Sequence, residues 1–244
     1  MAIASRTDCG RVRSRNEDAL GLDAARGWAV LADGVGGHPG GDVAARVVVD
    51  AVLARLAADA ADADDPALAE QALRRAVHDA HLGLLREGRR MPLLAGMGST
   101  VVAAIFLSHQ VVCAHVGDSR LYRFSDGRLA RLTRDHSLLQ ERLDAGLDVA
   151  EGGPLAGMLT RGLGAGLAVV PELGRHPVLP GDRFLLCSDG LTDMVSDAEI
   201  GQVLATAPTA EVAADRLLGL ALDHGGADNV SLILVEAPAV HNDD

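Results

Sequence analysis

Trp28-Ala-Val-Leu-Ala-Asp33-Gly34-Val35-Gly36-Gly37 is an apolar run that passes straight into an acid and then a glycine-rich turn. It reads as a strand, Trp28–Ala32, with a carboxylate set at its end. Upstream lie further strand-like pieces at Ile3–Asp8 and Ala19–Asp23. Downstream, Val43–Ala58 and Pro66–Arg90 repeat apolar residues at helical spacing, the second through Leu68, Ala72, Val77 and Leu84. Between them, Asp59–Asp65 has the acids of a calcium loop but not its glycine or closing Glu, and reads as a solvated turn. β-rich runs come next at Ser99–Leu107, Gln110–Val116 and Arg120–Ser125, the last turning at Asp126-Gly127 into Arg128–Leu132. From Asp135 to about Leu159 the periodicity fails among glycines, which predicts a long, mobile surface segment. Asp182–Cys187 is a strand, Asp197–Ala205 and Thr209–His224 are helical, and Val230–Val235 is a last strand. Strands at both ends, with helix pairs between and after them, predict helices packed outside stacked sheets.

Composition narrows the chemistry. With 244 residues and 48% hydrophobic content, the chain can bury one substantial core, so a single domain over 1–244 is expected. There is no apolar run long enough for a membrane span and no basic-then-apolar leader at Met1–Gly10. Cys9, Cys113 and Cys187 are too few and too scattered for a disulfide scaffold, which fits a reducing cytoplasm. A net charge of −12 disfavours nucleic acid, whose binding depends on neutralising phosphates. All 22 of the Lys+Arg residues are Arg, so sites that work through a lysine (P-loops, protein kinases, Schiff-base enzymes) are excluded.

The informative regularity is where the acids fall. Asp33, Asp118 and Asp189 each end an apolar strand, Asp228 immediately precedes one, and Glu17-Asp18 stands just before another. Any one of these reads equally well as a turn residue. Together they place carboxylates on rigid elements, from which they can project into a cleft. Clustered carboxylates repel unless a cation lies among them, and an all-oxygen set suits Mg²⁺ or Mn²⁺ rather than zinc. His78 and His81, on a helical pattern with no partner Cys pair, read as surface or helix-face histidines.

In order along nearly the whole chain, the motifs resemble the PP2C family of metal-dependent serine/threonine phosphatases in its compact bacterial form. They run from Val12-Arg13-Ser14-Arg15-Asn16-Glu17-Asp18 through Asp33-Gly34-Val35-Gly36-Gly37-His38, Gly98-Ser99-Thr100, Val116-Gly117-Asp118-Ser119-Arg120 and Leu132–Leu138. They end with Leu159–Gly164, Gly181-Asp182, Ser188-Asp189-Gly190-Leu191 and Gly226-Ala227-Asp228-Asn229-Val230. The resemblance implies an α+β fold, a four-layer αββα sandwich of two stacked antiparallel sheets flanked by helices. It implies a flap at about 137–159 and a site for two Mn²⁺ or Mg²⁺ ions. Asp33 would bridge the ions, the Gly34 carbonyl would bind one, and Asp189 and Asp228 would complete the other. Glu17 and Asp18 would act through water, Asp118 would help to hold a third ion, and Arg13 would grip the substrate phosphate. A water shared by the ions would attack phosphoserine or phosphothreonine with no covalent phosphoenzyme. The implied partners are phosphorylated proteins, including a cognate Ser/Thr kinase or its substrates, met by a monomer.

The chain departs from the family where many members carry a histidine proposed as general acid: Val35 stands there and has no proton to give. The flap stretch from Gly153 to Met158 departs too, which bears on substrate preference. Two rivals arise from the same residues. Cys9 and Arg15 have the Cys-x5-Arg spacing of cysteine-dependent phosphatases, but the residues after Arg15 are acidic and strand-like rather than a helix start. A phosphoprotein-binding pseudophosphatase would be expected to lack a metal ligand, and Asp33, Asp189 and Asp228 are all present.

Overall fold

The computed structural model describes residues 1–35, 40–59, 64–147, 157–166 and 168–238. Among these residues, ten strands form two antiparallel sheets. One has the order β1 (Ala2–Asp8), β10 (Val230–Glu236), β9 (Arg183–Cys187), β6 (Arg120–Ser125), β7 (Arg128–Arg131). The other has the order β2 (Asp18–Asp23), β3 (Trp28–Asp33), β4 (Val101–Phe106), β5 (Gln110–Val116), β8 (Glu172–Pro177). Helices α1 (Gly41–Ala58) and α2 (Pro66–Arg90) cover the second sheet, and α5 (Asp197–Thr206) and α6 (Ala210–Asp223) cover the first.

The strands are apolar on both faces because each sheet is covered on both. Along β3, Trp28, Val30 and Ala32 pack with Val48, Val52, Leu73 and Val77 of α1 and α2. Ala29 and Leu31 turn the other way, into a layer with Phe106, Phe184, Leu186 and Ile233. Leu185, Leu232 and Leu234 meet Ile200, Leu204 and Leu217 beneath α5 and α6. This is the αββα sandwich that the resemblance implies, with helices outside stacked sheets as the strand and helix pattern predicts.

Three elements correct the sequence reading. The aperiodic stretch after Asp135 contains a helix, α3 (Leu138–Asp144), begun by Ser137, whose Oγ accepts the Gln140 N–H at 3.2 Å. Its seven residues are too few to display a period. Residues 148–156 of the predicted flap lie outside the described residues, as do residues 60–63 of the acidic turn. Strand β8 has no clear signal of its own: Glu172-Leu-Gly-Arg-His-Pro177 carries Gly and Pro, and it is strand because β5 supplies its partner groups at the sheet edge. A single turn, α4 (Asp189–Thr192), continues directly from β9 and is likewise absent from the sequence pattern.

Candidate metal centre

The sheet register brings the acids to one edge. Asp18 lies opposite Asp33 across the β2–β3 pair. The main chain at Asp33 is clamped from β4: Thr100 N–H donates to Asp33 O at 2.8 Å, and Asp33 N–H donates to Thr100 Oγ1 at 3.1 Å. Thr100 Oγ1 also bonds Ser119 Oγ at 2.7 Å, tying in the turn that carries Asp118. Gly34 must be glycine for space, since a Cβ there would lie 2.2 Å from Gly41 O and 2.8 Å from Glu17 O. Gly117 has φ 110°, a left-handed conformation that lets the chain turn directly ahead of Asp118. Asp189 opens α4 as β9 ends, and Asp228 stands just before β10.

Arg13, Glu17, Asp33, Gly34, Val35, Asp189, Asp193, Asp228 and Asn229 line a common cleft of about 330 Å³. Asp18 and Asp118 are not on its wall but stand close behind, as the field each exerts on its neighbours shows. Burial pushes the Asp18 carboxyl up to about 7, with Asp189 and Asp228 adding to the shift. Burial and then Asp189 push Asp118 up to about 7, and burial with Asp193 and Asp228 pushes Asp189 up to about 6. Asp33 is held well above the carboxylate range, first by burial and then by Asp189, Asp18 and Asp118. Glu17 is raised too, by burial and then by Asp42.

The donor set fits a hard cation. Ser188 Oγ donates to Asp18 Oδ2 at 2.9 Å and accepts Ser231 N–H at 3.0 Å, so one Asp18 oxygen is fixed. Asp18 Oδ1 and Asp189 Oδ1 are buried and have no hydrogen-bond partner. Orphaned carboxylate oxygens inside an acidic cluster are costly unless a positive charge joins them.

Arg13 sits on the loop between β1 and β2, and its Nη2 donates to Asp228 Oδ2 at 2.6 Å. Cys9 and Arg15 occupy the same loop. The next element is β2, not a helix, and the Cys9 thiol donates to the Arg13 carbonyl at 3.1 Å. The cysteine-phosphatase reading therefore lacks the helix N-terminus that its chemistry requires.

The cleft holds residues that the sequence reading passes over. Asp193 lies one turn beyond Asp189 across α4, a spacing visible only once that turn is known to be helical. Asn229 stands within a recognised motif but has no role there. His115, His136 and Glu172 bring possible ligand atoms within 4.8 Å of one another. Their hydrogen bonds explain the grouping without a cation. His136 Nδ1 accepts Gly117 N–H at 3.1 Å, so its proton is on Nε2, which faces Glu172 at 3.3 Å. His115 stacks on that ring at 4.7 Å, with its Nε2 2.8 Å from Arg134 O. His81 does lie on a helix face, that of α2, but is buried, and its Nδ1 accepts Gly164 N–H at 3.2 Å. A larger cavity, about 510 Å³, opens between α1, α2 and Val169–Pro171, but it is lined by paired arginines rather than clustered acids.

Residues 7–218 match the family described as protein phosphatase 2C. The serine/threonine protein phosphatase PstP of Mycobacterium tuberculosis is 38% identical over 242 residues, which is 97% of this chain and 45% of the relative. The chain thus spans about half the length of that relative. The serine/threonine phosphatase stp of Listeria monocytogenes is 37% identical over 246 residues, covering 97% of this chain and 96% of the relative. The catalytic domain of PstP, solved with two manganese ions, superposes with a TM-score of 0.86 at 37% identity, covering 97% of this chain and 98% of that one. The order of the strands, the edge at which the acids gather and the similarity over almost all of the chain agree: it belongs to the protein phosphatase 2C family.

Proposed function

We propose that the protein hydrolyses phosphoserine and phosphothreonine esters in proteins at the acidic cleft, using Mn²⁺ or Mg²⁺. The observation that carries the reading is the gathering of Asp18, Asp33, Asp118, Asp189 and Asp228 from separate strand ends, with buried unpartnered oxygens on two of them. Asp33, the Gly34 carbonyl, Asp189 and Asp228 would hold two ions, Asp118 would help to hold a third, and Glu17 and Asp18 would act through water. When bound, such ions supply a nucleophile at neutral pH and stabilise charge on the phosphoryl oxygens.

The chain's own groups do the remaining work. Arg13 reaches the cleft as a planar fork that can engage two phosphate oxygens together, which orients the ester. Ser188 holds Asp18 Oδ2 by a hydrogen bond and leaves the buried Oδ1 without a hydrogen-bond partner. Val35 lines the cleft without a transferable proton. A cognate kinase or its substrates as partners, a monomeric state and a cytoplasmic location belong to this reading. Among the described residues, no helix is long and apolar enough to cross a membrane.

The test is hydrolysis of a phosphoserine peptide by metal-stripped protein, before and after Mn²⁺ or Mg²⁺ is restored. Activity is expected only after restoration. Full activity in excess chelator, abolished by Cys9→Ser, would establish the cysteine chemistry instead. Binding of phosphopeptide without turnover under every metal condition would establish the pseudophosphatase.

A further inference from the structure

Arg13 poses a positioning problem. Its side chain is 44% exposed, and its one hydrogen bond among the described residues is to Asp228. Residues 9–17 contain neither helix nor strand. A phosphate fork is useful only if its Cα is fixed, because each rotamer frozen on binding subtracts from affinity.

One side chain makes three hydrogen bonds across the neck of the loop. Asn229 Nδ2 donates to Cys9 O at 2.8 Å and to Arg15 O at 2.8 Å, while Asn229 Oδ1 accepts Glu17 N–H at 2.8 Å. The amide thus joins the two limbs of the loop on either side of Arg13, using both of its hydrogens. Asn229 is 6% exposed, and its own N–H donates to Asp228 Oδ1 at 2.8 Å. Backbone contacts support the first limb, where Arg11 N–H donates to Gly226 O at 2.8 Å and Gly10, at φ 77°, lies so close that a Cβ would fall 2.2 Å from Asp228 O, and the end of the second, where Gly34 N–H donates to Glu17 O at 3.1 Å. The second limb is also tied by Asn16, whose Nδ2 donates to Thr7 Oγ1 at 2.7 Å and whose Oδ1 accepts Asp18 N–H at 3.1 Å, and by the Cys9 thiol on Arg13 O at 3.1 Å, but Asn229 alone makes three bonds to the loop from one buried side chain.

We infer that Asn229 is the positioning residue of the phosphate-binding loop, a clasp that fixes Arg13 over the cleft. Asn is suited to it because no other side chain of this size offers two N–H donors and an acceptor. Asp would set an oxygen against two carbonyls, and Leu would leave two carbonyls and an N–H without partners. The inference rests on Arg13 being the phosphate ligand.

The test is a double-mutant cycle with Arg13→Ala, Asn229→Ala and the pair, all in Mn²⁺-loaded protein. The readouts are KM and kcat for a phosphoserine peptide, the inhibition constant of inorganic phosphate, and Mn²⁺ affinity by calorimetry. Asn229→Ala is expected to raise KM and the phosphate inhibition constant by about tenfold, the size of a lost buried hydrogen bond or more. In the Arg13→Ala background it should change them by less than about twofold, with Mn²⁺ affinity unaltered. Asn229→Asp, which keeps the shape and the acceptor to Glu17, should show the same dependence on Arg13 if the alanine variant does not fold. Additive losses, an unchanged phosphate constant, or a loss confined to Mn²⁺ affinity would each overturn the inference. If Arg13→Ala alone left phosphate binding intact, it is the assignment of Arg13 that would fall.

Discussion

Asp33 and Asp189 are close enough to contest one proton, and the fields of Asp18 and Asp118 add to the conflict. Replacing one acid by its amide relieves the repulsion and, in the proposed function, would remove a ligand at the same time. Asp33→Asn, Asp189→Asn and Asp228→Asn should each reduce kcat/KM by at least roughly 10²-fold, the scale of a lost preorganised electrostatic contact. Circular dichroism should be unchanged, and calorimetry should show weakened Mn²⁺ binding. Retention of tight Mn²⁺ binding by all of them would place the centre elsewhere. Arg13→Ala should act mostly on KM, because a fork that holds ester and transition state alike contributes uniform binding. An equal fall in kcat and kcat/KM would instead report a contact made in the transition state. Asp118 and Val35 make a further pair. Since Val35 has no proton to supply, an alkoxide leaving group would depend on a proton donor held near Asp118, and an aryl oxide scarcely would. Asp118→Ala should slow a phosphoserine peptide by roughly 10²-fold and an aryl phosphate much less. Equal losses would make Asp118 a general support of the site.

At the level of elements, α5 shows how far local sequence carries. Ser196 Oγ accepts Glu199 N–H at 3.3 Å, and the Glu199 carboxylate takes the Ser196 N–H at 2.9 Å, a reciprocal cap. Ser196→Ala should cost about 1 kcal/mol, a fall in Tm of roughly 2–4 °C, with hydrolysis untouched because this helix is not part of the cleft. A change in kcat would link α5 to the site. Elements with strong local signals are legible in the same way. The bounds of α2 are set by Asp65, whose side chain caps its first turn, and by the helical pattern ending at Arg90. Strands β3 and β10 declare themselves as apolar runs. The elements that cannot be read are those that tertiary contact imposes: β8 is strand because β5 lies beside it, and α3 and α4 are too short to show a period. The site divides likewise. The acids can be named from their places at strand ends. Asn229 as a clasp and Asp193 as a cleft residue emerge only in three dimensions, since neither has a signature in its neighbours along the chain.

Considered whole, the molecule holds its acidic edge against its own electrostatics, and this makes stability depend on pH. Asp18, Asp118 and Asp189 have folded pKa values raised to about 7, 7 and 6, and Asp33 is raised as well. The folded state therefore binds these protons more tightly than the unfolded chain, whose carboxyls titrate near 4. Stability from this source is complete below that value and is lost as pH rises through the folded pKa values. His81, His115, His136 and His176 act in the opposite sense, since burial lowers them, but that effect is spent above about pH 6.5. Metal-free protein should thus lose several degrees of Tm, roughly, between pH 6.5 and 8.5. Mn²⁺ should abolish the slope, and Asp33→Asn should flatten it without metal. A level Tm in chelator across that range would mean that the acids do not oppose one another.

The first strand has the last for its partner, Ala2 facing Glu236 and Asp8 facing Val230. Arg13 and Glu17 thus meet Asp228 and Asn229 only when β1 and β10 pair. During synthesis, the early residues leave the ribosome long before their counterparts exist, and β1 has nothing to pair with until β10 emerges. The two helices α1 and α2 and the β2-to-β5 meander can form meanwhile from neighbours in sequence. Completion of the acidic cleft is therefore a late event: a nascent or prematurely ended chain can be well ordered through its first half and still lack Asp228 and Asn229 beside Arg13.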